Sequence, residues 1–105
     1  MYESLLEWCR FPVNVHTRIG TFAGGDPKYD EPYPYNGYRV DQVTNIVDKD
    51  GEHYVSMTQV YFPPAVPVTV EDVLSFEEEI TYEIRKIGGF YDGNDGTLSI
   101  LVVYL

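Results

Sequence analysis

Sulfur is too scarce in this chain for a disulfide-built fold. Cys9 is the single cysteine, so no internal disulfide can form and stability has to come from a packed core. Cations are scarce too. Lys and Arg total 7 against 17 Asp and Glu, a formal charge of -10. Such a surface repels phosphates, which excludes a DNA-gripping module but not a surface that DNA slides past. No apolar run reaches the length of a membrane span. The N-terminus lacks the basic start and long apolar stretch of a secretory signal. The expectation is a soluble protein made in the cytoplasm, with no membrane partner.

Chemical motifs are equally sparse. His16 and His53 fall on different strands and Cys9 is far from His53 in sequence, so no pair has zinc-ligand spacing and no metal is expected. Asp92-Gly93-Asn94-Asp95-Gly96 has the look of a calcium loop, but its fifth and sixth positions are Gly96 and Thr97, where that loop needs an oxygen ligand and then glycine. The run from Asp48 fails in the same way, at His53. There is no Gly-x-Ser-x-Gly elbow and no phosphate-cradling Gly-x-x-x-x-Gly-Lys loop. An acidic chain yields paired carboxylates by chance alone, so the reading is of a non-enzyme without cofactor.

What the chain does have is strand character. Its 105 residues suit one domain, residues 1–105, with one core. Ten tyrosines and five phenylalanines favour strands and half-wet interfaces. Residues 2–9, with Leu5, Leu6 and Trp8 among acids, read as a short N-terminal helix. From Phe11 to Phe22, Val13, Val15, Thr17 and Ile19 alternate with Asn14, His16 and Arg18, as in a half-buried strand.

Residues 24–37 interrupt this pattern. Pro27, Pro32 and Pro34 bar regular ladder pairing, so the stretch reads as a long proline-rich loop. Its Asp26, Tyr29, Asp30, Glu31, Tyr33 and Tyr35 are the candidate functional side chains, the tyrosines as anchors and the acids as a repelling surface.

Residues 38–47 and 52–62 form the clearest hairpin. A two-residue Asp50-Gly51 turn puts Ile46 opposite Val55, Thr44 opposite Met57 and Val40 opposite Tyr61. Val40, Ile46, Val55, Met57 and Tyr61 then make the core face, while Arg39, Asp41, Asn45, Ser56 and Thr58 are wetter. A four-residue turn keeps these faces, and a three-residue turn flips one strand.

Pro63-Pro64 ends that strand, Ile80, Tyr82 and Ile84 mark another, and Gly88-Gly89 a bend or bulge. The last strand, Leu98 to Leu105, is apolar on both faces, so both need cover. Leu98, Ile100, Val102 and Tyr104 are assigned to the core. Leu101, Val103 and Leu105 are the candidate subunit interface or the seat of the N-terminal segment. The fold class is all-β: a small barrel or sandwich of antiparallel strands.

One sequence pattern carries a resemblance. Tyr61-Phe62-Pro63-Pro64, then Pro67-Val68, Asp72, Tyr82-Glu83-Ile84, and an Asp92-Gly93 hairpin into Val102-Val103-Tyr104-Leu105 resemble the head-closure proteins of long-tailed bacteriophages, also called stoppers or head-tail connector proteins. The similarity spans residues 11–105 as a pattern of strands and prolines. It implies a virion protein of the phage neck: a homo-oligomeric ring beneath the portal-bound adaptor that closes the head, retains packaged DNA and docks the tail proteins. DNA passes through such a ring without specific binding. In this family a long loop early in the barrel reaches toward the channel, and 24–37 is its counterpart here. The alternatives are another virion joint, such as a tail terminator, a generic β-barrel interaction module or, on the carboxylates alone, a small hydrolase.

Overall fold

A computed structural model describes residues 9–76, 80–91, 93–94 and 96–105. Strands account for all the regular structure among them: β1 (Phe11–His16), β2 (Arg18–Thr21), β3 (Pro27–Tyr29), β4 (Tyr33–Val40), β5 (Thr44–Val47), β6 (His53–Ser56), β7 (Gln59–Phe62), β8 (Val73–Ser75), β9 (Thr81–Glu83), β10 (Lys86–Tyr91) and β11 (Leu98–Tyr104). Seven of them pair antiparallel in the order β10-β11-β7-β4-β1-β8-β9, while β2-β3 and β5-β6 are separate two-stranded hairpins. The all-β class is therefore observed, as a curled half-barrel sheet.

The curl follows from chain connectivity. β9 and β10 are the two edges of the sheet, yet only Ile84 and Arg85 separate them. Three Cα steps reach about 11 Å at most, so opposite edges must meet at one corner. The Arg85 N–H donates to the Tyr104 carbonyl at 2.8 Å and the Arg85 carbonyl accepts the Lys49 N–H at 2.8 Å. These two bonds satisfy the Arg85 backbone, and Ile84 is fully buried.

The concave face holds the core: Val13, Val15, Val60, Phe62, Leu74, Ile84, Val103 and Leu105, with Val66, Val68 and Val70 packed against it. Those last valines belong to the segment after Pro63-Pro64, where the Val66 N–H donates to Pro63 O and the Val68 N–H to Val66 O. This segment plugs the open side of the curl. Two glycines admit the packing. A Cβ on Gly37 would lie 2.9 Å from Phe62 Cε1, and one on Gly89 would lie 2.9 Å from the Ile100 carbonyl oxygen. Gly88 and Gly89 thus sit within β10, and the irregular step comes at Phe90/Tyr91.

Several expectations are corrected. The helix over 2–9 lies outside the described residues except for Cys9, which is in irregular backbone. Residues 24–37 are not a long loop: they contain β3 and the first half of β4. Pro34 is tolerated because β7 pairs only with Tyr38–Val40, leaving that part of β4 laddered to β1 alone. The 38–62 hairpin closes through three residues, Lys49-Asp50-Gly51, with the Asp48 N–H donating to Glu52 O and Gly51 at φ 81°. Ile46 consequently faces Tyr54, and Ser56 faces Thr44. The flip exposes Val55 (49%) and Met57 (60%) and buries Ser56 completely. Val40 pairs with Gln59, and Tyr61 with Tyr38.

Both faces of β11 are buried within a single copy. Val103 and Leu105 lie in the central cluster with Leu101 against it, so the residues expected at a subunit interface fill the core of a single copy. Ile100 (0%) and Val102 (2%) on the other face are buried as well. Val103→Asp should therefore destabilise the isolated chain, by about 4 kcal/mol or more in urea unfolding, at concentrations too low for assembly. An unchanged midpoint would put Val103 outside the core.

Candidate functional site

The sheet leaves one substructure outside its core. β2 and β3 form an arm in which every residue from Ile19 to Lys28 is exposed. Its tip is tied by the Phe22 N–H to Asp26 O at 2.8 Å and the Gly25 N–H to Phe22 O at 2.9 Å, with Gly25 at φ 91°. A bulge between Arg18 and Gly20 twists it near the root, and Arg18 braces the bulge through Nε to Gly20 O at 2.8 Å. Lys28 lies over the Phe22 ring, 5.7 Å from its centroid.

Two backbone donors close the root of the arm, and the second of them ties it to the body. The Asp30 N–H reaches Thr17 O at 2.9 Å. The Arg18 N–H reaches Asp72 Oδ1 at 2.9 Å, and Asp72 Oδ2 takes the Thr69 N–H at 2.9 Å. Asp72 is only 2% exposed. A buried carboxylate is tolerated when hydrogen bonds replace its water, and here both oxygens have a donor.

Between arm and body lies an open cleft of about 650 Å³, with Arg18, Pro27 and Tyr29 on one side and Lys49, Glu71 and Glu83 on the other. Two of its charges pair with each other: Lys49 Nζ bonds Glu83 Oε1 at 3.1 Å and also Val70 O at 3.2 Å.

The structure scatters the candidate residues of 24–37. Asp26 is at the arm tip, and Asp30 and Glu31 are exposed at its root, where Asp30 Oδ1 accepts the Glu31 N–H. Tyr29 is half-buried beside the cleft. Tyr33 and Tyr35 lie in β4 opposite Val15 and Val13, their rings 5.0 Å apart. Tyr35 packs on the core and Tyr33 is 63% exposed. Three carboxylates thus belong to the arm and its root, while two tyrosines belong to the sheet.

Two arrangements were not read from the sequence. On the β5-β6 hairpin, Val43, Val47, Val55 and Met57 are 62%, 49%, 49% and 60% exposed. The register Asn45↔Val55 and Val47↔His53 puts Val47 and Val55 on one face, and Val43 and Met57 lie exposed just beyond the paired residues, an uncharged group on a strongly acidic protein. The three-residue turn was the signal for it. On the convex face His16 Nε2 and Ser75 Oγ share a 2.8 Å hydrogen bond. Ser75 is 6% exposed, which leaves a substrate carbonyl no approach, so this pair ties β1 to β8 instead of forming a nucleophile. Among the described residues no three His, Cys, Asp or Glu side chains are grouped to hold a metal, and no helix is long and apolar enough to cross a membrane.

Buried polar groups elsewhere are structural. Ser56 Oγ lies 2.9 Å from Leu105 O and accepts Gln59 Nε2 at 3.0 Å, while the Leu105 N–H donates to Thr58 O. This network pins residue 105 to the bend between β6 and β7. At the bend after β4, hydrogen bonds from Arg39 and then Thr58 hold the Asp41 carboxyl below its ordinary range. No family model, curated protein or solved structure matches the chain.

On the convex face Tyr61 pairs with Tyr38 at a ring separation of 6.3 Å. Burial pushes the Tyr61 phenol up, with smaller contributions from Tyr104 and Tyr38. A phenol raised in the folded state stabilises the fold below its unfolded value of about 10, and that stability is lost as pH climbs through the folded value. Absorbance titration of tyrosinate should show one late-ionising phenol that Tyr61→Phe removes. A variant titrating like the parent would place that phenol elsewhere.

Proposed function

We propose that the chain is a structural protein of the phage neck, forming a ring between the portal-bound adaptor and the tail that closes the head over packaged DNA. The resemblance of residues 11–105 supplies the identity. The observation that carries the assembly is the group Val43, Val47, Val55 and Met57, four exposed apolar side chains on and beside one hairpin. Exposed apolar area grouped in this way, on a chain of charge -10, marks a surface meant for another protein. With Leu101, Val103 and Leu105 in the core, this group takes over their role as the contact to a neighbouring copy.

The arm is then the channel-facing part. It replaces the expected loop as a preformed lever, and its Asp26, Asp30 and Glu31 are exposed. Carboxylates within a Debye length of about 8 Å of phosphates repel them, so DNA passes without sticking and retention depends on steric closure.

Sedimentation of the purified chain with portal–adaptor complexes tests the reading. Co-migration of the parent is expected. Val55→Asp with Met57→Asp should abolish it while leaving the melting temperature within a few degrees, since both side chains are exposed. A parent chain that stays at the top of the gradient rejects the neck assignment. Undiminished binding by the double variant rejects this group as the contact.

A further inference from the structure

The arm contributes nothing to the core, since no residue from Arg18 to Lys28 belongs to the central cluster or packs against it. Its orientation is therefore set at the root. One root bond, Asp30 N–H to Thr17 O, lies within the arm's own chain crossing and turns with it. The other ends on a side chain of the body. Asp72 sits in the turn that follows Val66, Val68 and Val70, the residues plugging the concave face. Its own N–H closes that turn onto Thr69 O at 3.1 Å. One carboxylate therefore ties the plug, through Thr69, to the arm, through Arg18.

Room for movement is present on one side. The cleft separates Pro27 and Tyr29 of the arm from Val73, Thr81 and Glu83 of the body. At the root, Gly20 has φ 154°, a value that L side chains rarely adopt, and no atom within 4 Å of an added Cβ, so the bulge is braced by the arm's own Arg18 side chain and not by packing on the body.

We propose that Asp72 is a latch: its carboxylate holds the arm in the open position over the cleft, and release of the Arg18 N–H lets the arm swing as a unit toward β9. The device goes beyond the neck assignment and holds for the isolated chain. When the latch opens, Oδ1 loses the Arg18 donor, Oδ2 keeps Thr69, and water entering from the cleft solvates the freed groups.

Two measurements on the purified full chain test it. In the parent, amide hydrogen exchange should show the Arg18 N–H exchanging through a local opening, at least about tenfold faster than the amides of β11. Exchange of Arg18 only together with β11 would mean that the arm never unlatches and would overturn the proposal. The second measurement uses spin labels at Ala23→Cys and Glu52→Cys in a Cys9→Ala background. It should give one narrow separation with Asp72 present and a second, distinct population with Asp72→Asn, whose amide nitrogen faces one of the two N–H donors without accepting it. An unchanged single separation in a folded Asp72→Asn protein would reduce Asp72 to a turn-former. Should that variant fail to fold, the exchange measurement on the parent decides alone.

Discussion

The whole architecture depends on a two-residue link. Ile84 and Arg85 join strands at opposite edges of a seven-stranded sheet, and a sheet held in that way cannot lie flat. Right-handed twist supplies part of the curl; the link fixes where the curl ends. Once the edges meet, the concave side is narrow enough for a few residues to fill. Phe62 takes the centre, and Gly37 is the only residue type that leaves it room. The link also selects its own supports: Ile84 goes into the core, and Arg85 stacks on Tyr54, 4.6 Å from the ring centroid. The β5-β6 hairpin is thereby held against the corner by the same residue that closes it.

What the curl leaves out is as informative as what it encloses. A half-barrel of seven short strands has no place for two further hairpins, so β2-β3 and β5-β6 stand apart as separate ladders. They solve the problem differently. The β5-β6 hairpin turns Ile46 inward and its valines and Met57 outward. The arm leaves its apolar side chains, Ile19 and Phe22, exposed and is fixed by hydrogen bonds at its root. One hairpin has the properties of a contact surface, and the other those of a lever.

Much of the fold was legible because alternation is a strong signal. Val13, Val15, Tyr82 and Ile84 fall where the period of two places them. The misreadings share one cause, which is that local chemistry was read without its lateral neighbours. Three prolines suggested a loop, but a proline breaks a ladder only on a side where a ladder exists, and β4 beyond Gly37 has one partner. Asp50-Gly51 suggested a two-residue turn, but Asp48 Oδ1 captures the N–H groups of both Asp50 and Glu52, which favours the longer turn and shifts the register by one. That single residue moved Val55 and Met57 out and Ser56 in. β11 was ambiguous from sequence because both its faces are apolar; only pairing with β7, Val103 against Val60 and Leu101 against Phe62, decides which is inner. Asp72 entered the sequence reading only as part of the resemblance; its hydrogen-bonding role was not legible, since its partners are backbone amides 54 and 3 residues away.

Charge and apolar exposure act together on how this protein can associate. At -10, two copies repel at any separation inside a Debye length, so association has to draw its free energy from area that carries no charge. The group of Val43, Val47, Val55 and Met57 is such an area, with Asn45 and His53 as its polar members. Asp41, Asp48, Asp50 and Glu52 flank these residues in sequence, whereas Lys49, the cation nearest by sequence, pairs with Glu83. A contact built in this way strengthens with salt, because screening removes the repulsion and leaves apolar burial intact. A contact built on ion pairs would weaken instead. A copy-to-copy contact on this chain would therefore be built from exposed apolar side chains, of which this hairpin groups four.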